Sequence, residues 1–224
     1  GAAAAEMLHV LVRPGGANSL LELSPCGAKI VTGGSGFASI FVWDAATGRL
    51  EREFEGRAGW NSGVGISAQG AIIATSLYSR LFIWNGTTGL LSQELAFRSG
   101  VVAFALLPGD DARLAVFTRE AASIYDARSG ARLWNLEGAG GDGGADPRRL
   151  AVSEDGSVLV ACGGRPGLWG GQRTEIWDVG SGRKLHAIPD AVRGRSAAPL
   201  EGAAPLPCSV AVERAGTFAG WFPQ

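Results

Sequence analysis

The sequence predicts an all-β chain built from four-stranded antiparallel units repeated along its 224 residues. Three observations carry that expectation. A short segment recurs: "VWDAATGRL" at 42 is answered by "IWNGTTGLL" at 83, "IYDARSGARL" at 124 and "IWDVGSGRKL" at 176, and the aromatics Trp43, Trp84, Tyr125 and Trp177 fall at intervals of 41, 41 and 52 residues. Upstream of each sits a turn of one type, "SPCG" at 24, "SAQG" at 67, "LPGDD" at 107 and "SEDG" at 153, between two short apolar runs. The 35 glycines show no collagen period, so they read as punctuation between many short strands.

In chain order, residues 1–5 are a short tail and "EMLHVLVR" (6–13) resembles the outer strand "RKLHAIPD" of a later unit. The first full unit is expected over 19–56, with strand a at 19–23, b at 28–33, c at 39–45 and d at 50–56. Further units follow at 62–97, 101–138 and 149–190, and a partial one with strands a and b at 208–222. Strand c is the most telling. Ile40 and Val42 point to one face and Phe41 and Trp43 to the other, and "RLFIWN" repeats the arrangement with Leu81 and Ile83 against Phe82 and Trp84. A strand with one wet face would alternate apolar and polar. Both faces here are apolar, so each sheet is expected between two neighbours, in a stack that closes into a ring.

These residues carry a resemblance to the WD-repeat β-propeller family, over residues 6 to 224. The unit ends strand c on a Trp-Asp pair, places a Ser-Pro-Asp-Gly-like turn between a and b, and follows c with an Asp-x-x-Thr/Ser-Gly turn. The fold class implied is a β-propeller of four full blades with partial blades at both ends, a segment of a longer propeller. There are departures. No repeat carries the Gly-His dipeptide usual before strand a; the only histidines, His9 and His186, fall in d-like segments. The family's Asp in the b–c turn is replaced by "GGSGFAS", "SLYSR" and "TREAAS". Asp44, Asp126 and Asp178 are expected to accept hydrogen bonds in the c–d turn, where Gly48, Gly130 and Gly182 supply positive φ. Trp43 is expected to fill the space between blades.

Chemistry finds little support in the sequence. Lys and Arg number 20 against 21 acids, so no net field recruits nucleic acid or an anionic membrane. Cys26, Cys162 and Cys208 are few, odd in number and far apart, which suits neither a disulfide framework nor a zinc site. No apolar run approaches the roughly 18 residues of a membrane span, and the start lacks a basic n-region, so no signal peptide is read. These points give the expectation of an intracellular, cytoplasmic chain. The histidines do not form a triad and no ligand spacing suits a metal, so no catalytic residue, cofactor or metal is assigned. "GAGGDGGAD" (138–146) lacks the Lys-Ser/Thr of a phosphate loop, and the "NGT" sequon at 85–87 reads as chance. A second resemblance, of "YDARSGARLWNLEG" to the repeats of quinoprotein dehydrogenases, implies a propeller enzyme. Its calcium ligands, quinone-stacking Trp and paired cysteines are not visible, and Trp134 is not repeated in each blade.

Binding remains. The a–b and c–d turns are short, whereas extra length falls on the opposite rim: "EGAGGDGGADPRR" (137–149) and "AVRGRSAAPLEGAAPLP" (191–207) between d and a, and "GGRPGLWGGQR" (163–173) between b and c. Loops longer than about four to six residues often carry function. Arg148, Arg165, Leu168, Trp169, Arg193 and Arg195 are the candidate partner-binding residues, since exposed Trp and Arg anchor interfaces. Gly/Ala/Pro-rich spacers are the plainer reading of the same loops. The resemblance implies a non-enzymatic scaffold for protein partners, including a multi-subunit complex, with no nucleic acid and no membrane span.

Overall fold

The computed structural model describes residues 9–12, 20–34, 37–55, 63–109, 112–139, 147–163, 173–189, 210–212 and 218–220. It divides the chain into two units, residues 1–94 and 95–224. The first holds two sheets. One has the order β1 (Leu20–Leu23), β2 (Lys29–Gly34), β3 (Phe37–Asp44), β4 (Leu50–Glu55); the other has β5 (Gly63–Ile66), β6 (Ile72–Leu77), β7 (Arg80–Asn85), β8 (Leu91–Ala96). The strands lie side by side in chain order, as tight turns between short antiparallel strands require. In the a–b turn, Ser24 N donates to Lys29 O (2.8 Å) and Lys29 N to Ser24 Oγ (2.9 Å), with Gly27 at φ +73°. Ser67 and Gly70 repeat this in the second sheet.

The two sheets face each other across one apolar cluster. Val31, Ile40, Val42 and Phe54 come from the first; Ile66, Ile73, Phe82 and Trp84 come from the second. The other side of β7 is closed as well: Leu81 and Ile83 are buried alongside Phe82 and Trp84. Strand c is therefore covered on both faces. Each such aliphatic or aromatic side chain contributes about 1.5–3 kcal/mol on burial.

The second unit repeats the plan with β9 (Val101–Leu106), β10 (Arg113–Thr118), β11 (Ala122–Asp126), β12 (Arg132–Asn135), then β13 (Pro147–Val152), β14 (Val158–Gly163), β15 (Arg173–Asp178), β16 (Lys184–Pro189). Ala115, Phe117, Ile124 and Leu136 of one sheet pack on Leu159, Ala161, Trp177 and Val179 of the next. A two-stranded sheet, β17 (Val210–Val212) with β18 (Phe218–Gly220), completes the described strands. In three sheets the c–d pairing shifts register immediately before the signature aromatic, between Val42 and Trp43, Ile124 and Tyr125, Ile176 and Trp177. A bulge there strengthens the twist at the outer edge. The aromatic pattern did not announce it.

Two boundaries differ from the sequence expectation. β13 begins at Pro147, so the fourth full blade starts before 149 and Arg148 lies in its first strand rather than in the preceding loop. Residues 9–12 carry no strand assignment, although an outer strand was expected over 6–13. His9 Nε2 is 2.7 Å from Ala46 O, and a Cβ on Gly48 would come 2.7 Å from His9 Cγ. A Cβ on Gly182 would come 2.9 Å from the Trp134 ring of β12, whereas one on Gly89 would make ordinary contact with Phe54 of β4 at 3.6 Å.

Candidate interaction rim

The c–d turns answer what the Trp-Asp pairs do. Asp44 Oδ1 accepts from Thr47 N (2.8 Å) and Thr47 Oγ1 (2.7 Å), Asp126 Oδ1 from Ser129 N (2.6 Å) and Ser129 Oγ (2.8 Å), and Asp178 Oδ1 from Ser181 N (2.7 Å) and Ser181 Oγ (2.5 Å). Asn85 takes the same part in the second sheet, accepting from Thr87 N and Thr88 N, and Gly48, Gly89, Gly130 and Gly182 all have positive φ. Through Oδ1 these side chains bend the backbone of the turn. Their hydrogen bonds hold the carboxyls of Asp44, Asp126 and Asp178 below the ordinary range, and side-chain donation from Ser153, followed by the N–H and hydroxyl of Ser157, lowers that of Asp155 to about 2.

A pH dependence follows. These carboxyls bind protons less readily folded than unfolded, so the unfolded chain takes up more protons as pH falls from about 4 towards 2. Stability contributed by the turns is present above the unfolded pKa and is lost on acidification through that window. Thermal melts between about pH 5 and pH 2 are expected to fall less steeply for Asp155→Asn than for the parent chain.

The signature aromatics are bound into the fold in two ways. Trp43 and Trp84 donate their indole N–H to a hydroxyl in the adjacent strand, Thr32 Oγ1 (2.9 Å) and Thr75 Oγ1 (3.1 Å). Trp43 is buried on the face of β3 opposite Ile40 and Val42, outside the cluster shared with the second sheet. Trp177 lacks such a hydroxyl, because Ala161 pairs with Glu175 where Thr32 pairs with Phe41 and Thr75 with Phe82. Its N–H crosses instead to Glu137 O of the neighbouring sheet (3.0 Å). Tyr125, half-buried, meets Phe97 edge-on at 5.8 Å. Trp134, the residue behind the quinoprotein resemblance, is packed against the core and donates to Val179 O (3.0 Å).

One pair escaped the sequence reading. Glu175 is 1 % exposed and meets Lys184 Nζ at 2.7 Å; the same ammonium reaches Gly138 O (2.9 Å) and lies 5.5 Å from the Trp177 ring centre. The signal was available. Glu175 stands two residues before the signature Trp, where Phe41 and Phe82 stand, and Lys184 two after the turn Gly, where Leu50 and Leu91 stand. Gly182 sits beneath this stitch at φ +70°, and a Cβ there would come 2.6 Å from Asn135 O. Gly182→Ala is expected to cost about 1–2 kcal/mol from the left-handed backbone alone, with the clash added, as read by urea unfolding.

On the opposite rim, Arg165, Leu168, Trp169, Arg193 and Arg195 lie outside the described residues, and Arg148 is placed in β13. The structure shows the shorter connections of that rim. In the first unit the b–c hairpin tip is Tyr78–Ser79, with Tyr78 at φ +54° and 70 % exposed. In the second unit the link 97–100 and the b–c turn 119–121 border a cleft of about 140 Å³. A wider groove of about 420 Å³ lies on the turn side of the first unit, where Lys29 is held by Glu51 and Asp44. Among the described residues no group of three His, Cys, Asp or Glu could hold a metal, and no helix is long and apolar enough to cross a membrane.

With four antiparallel four-stranded sheets, each in chain order and packed face to face within its unit, the fold class is defined: these are blades of a β-propeller. No protein-family model matches the chain, and no curated protein matches it in sequence. Solved structures do. Hydrazine synthase of Kuenenia stuttgartiensis is 15 % identical with a TM-score of 0.64, over 81 % of this chain and 52 % of that one. The β-propeller domain of Cps50 (Swd1) of Myceliophteria thermophila is 15 % identical with a TM-score of 0.62, over 80 % of this chain and 59 % of that one. The WD40 repeats of RRP9 are 17 % identical with a TM-score of 0.61, over 79 % and 52 %. The chain thus spans between half and three fifths of these structures. Such likeness establishes the fold.

Proposed function

We propose that the chain is a non-enzymatic scaffold that holds protein partners, including members of a multi-subunit intracellular complex, through its d–a and b–c connections. Two of the similar structures support this reading: one is a β-propeller domain and the other a set of WD40 repeats. The observation that carries the reading is Tyr78. A bulky aromatic at a two-residue hairpin tip is exposed on the rim in the left-handed conformation that Gly or Asn adopts more readily. Strain of that kind tends to be kept where a side chain has work to do outside the fold. Exposed Tyr and Trp are common anchors of interfaces, and Trp169, with Arg165 and Arg193, extends the same proposal to the long loops. Arg165, Leu168, Trp169, Arg193 and Arg195 are the further proposed anchors, with Arg148 beside them at the start of β13, and residues 6–224 are the proposed propeller segment.

The test separates stability from binding. Tyr78→Asn is expected to stabilise the fold by about 0.5–1 kcal/mol, because Asn tolerates the left-handed backbone. Partners are recovered by cross-linking and co-purification from the organism that encodes the chain, and each is then titrated as a purified protein by calorimetry. Both Tyr78→Ala and Tyr78→Asn are expected to weaken binding by about 2 kcal/mol without lowering the melting temperature. Affinities unchanged for every stoichiometric partner would overturn the rim assignment.

A further inference from the structure

We propose that the cleft in the second unit is a carboxylate pocket, which receives one acidic side chain from a partner polypeptide. The proposal rests on the scaffold reading and names the chemistry of one contact in it. The cleft runs from the b–c turn of the third blade down the sheet face carrying Ser123 and Tyr125, and Phe97–Ser99 form its other wall. At about 140 Å³ it has the room of four or five water molecules at about 30 Å³ each. That admits a single short side chain and excludes a strand or helix.

Its lining sets the charge of the occupant. Arg98 and Arg132 are exposed and have no ion-pair partner among the described residues. Ser99 Oγ, buried at the cleft, has no hydrogen-bond partner there either. Two guanidinium groups and a hydroxyl donor match a carboxylate, which accepts several hydrogen bonds at once and pairs bidentately with Arg. Thr118 is already committed to the Ala121 backbone, so it stiffens the turn rather than binding. Glu120 is the one acid in the lining, which leaves the cleft a single net positive charge. An apolar or cationic side chain would offer these donors no acceptor, and a neutral amide would offer one uncharged carbonyl oxygen in place of a carboxylate. Burying unmatched donors carries a cost that an acidic side chain removes.

The experiment uses the full chain and a defined probe, the capped tripeptide acetyl-Gly-Glu-Gly-amide, with acetyl-Gly-Gln-Gly-amide as its neutral match. Amide resonances of residues 98–100 and 118–121 are followed by NMR through each titration. The Glu peptide is expected to give a saturable shift at those positions, with the Gln peptide binding about tenfold more weakly. Arg98→Gln and Arg132→Gln are each expected to weaken the Glu peptide about tenfold at unchanged melting temperature, and Glu120→Gln to tighten it. Equal titration by the two peptides, no shift at these residues, or full binding by both Arg variants would overturn the pocket. Should the Glu peptide fail while Tyr78-dependent partners still bind, the pocket alone is lost. If the peptide binds but no purified protein is held through Tyr78, the scaffold reading is the one that fails.

Discussion

Lys184→Met is expected to destabilise the second unit by about 3 kcal/mol, measured as a shift in the urea midpoint at constant slope. Glu175 is fully buried, and its carboxylate faces Lys184 Nζ at 2.7 Å across β15 and β16. Removing the ammonium leaves a buried negative charge with its main partner gone, which costs several kcal/mol even after relaxation. Lys184 itself keeps 22 % of its side-chain exposure, which places the effect at the lower end of that range. The loss extends across the sheet interface, because the same ammonium donates to Gly138 O and covers the Trp177 ring.

The reciprocal experiment gives the sharper result. Phe82 and Leu91 hold the equivalent places in the second blade, where Phe82 is buried in the cluster and Leu91 packs against it. The double substitution Glu175→Phe with Lys184→Leu is therefore expected to recover most of the loss, ending within about 1 kcal/mol of the parent or above it. A double variant that costs the sum of its two single variants would show that the pair adds nothing beyond its separate side chains.

How much of this was legible in the sequence depends on whether the signal was periodic. "RLFIWN" has apolar residues at both phases of a period-two pattern, and β7 is indeed covered on both faces, because such a strand is stable only between two sheets. The c–d turns were legible for the same reason: Asp, Ser/Thr and Gly recur at fixed offsets, and each offset performs a local hydrogen bond within four residues. Glu175 with Lys184 is a single departure from the pattern. Two charges replacing two apolar residues read as noise until the sheets are packed and the charges meet. Tyr78 was hidden differently, since "SLYSR" shows neither Gly nor Asn at a tip that requires a positive φ. Arg148 was misplaced because the Gly-rich stretch before it has no sharp end, and Pro147 is permitted as the first residue of an edge strand.

The largest single effect is expected from Trp177→Ala, a loss of about 3–5 kcal/mol in unfolding free energy. Trp177 is completely buried, and its ring meets Phe117 of the neighbouring blade edge-on at 5.6 Å. Truncation opens a cavity between two sheets whose backbones are fixed by their own ladders, so the walls can relax only in part. It also strips the donor from Glu137 O, which Trp177 reaches at 3.0 Å in place of the adjacent-strand hydroxyl used by Trp43 and Trp84. Trp177→Phe separates the two contributions. It keeps most of the apolar volume but removes the N–H, and is expected to cost about 1–2 kcal/mol through the lost hydrogen bond and the smaller ring. A coupling term follows from the geometry, since Lys184 Nζ lies over the same ring. A double-mutant cycle between Trp177→Phe and Lys184→Met should then return less than 1 kcal/mol, because a phenyl face still attracts the ammonium, whereas the cycle through Trp177→Ala should return about 0.5–2 kcal/mol. Additivity in both cycles would mean that the cation merely passes the ring on its way to Glu175, and that the blades are joined by packing and the Glu137 hydrogen bond alone.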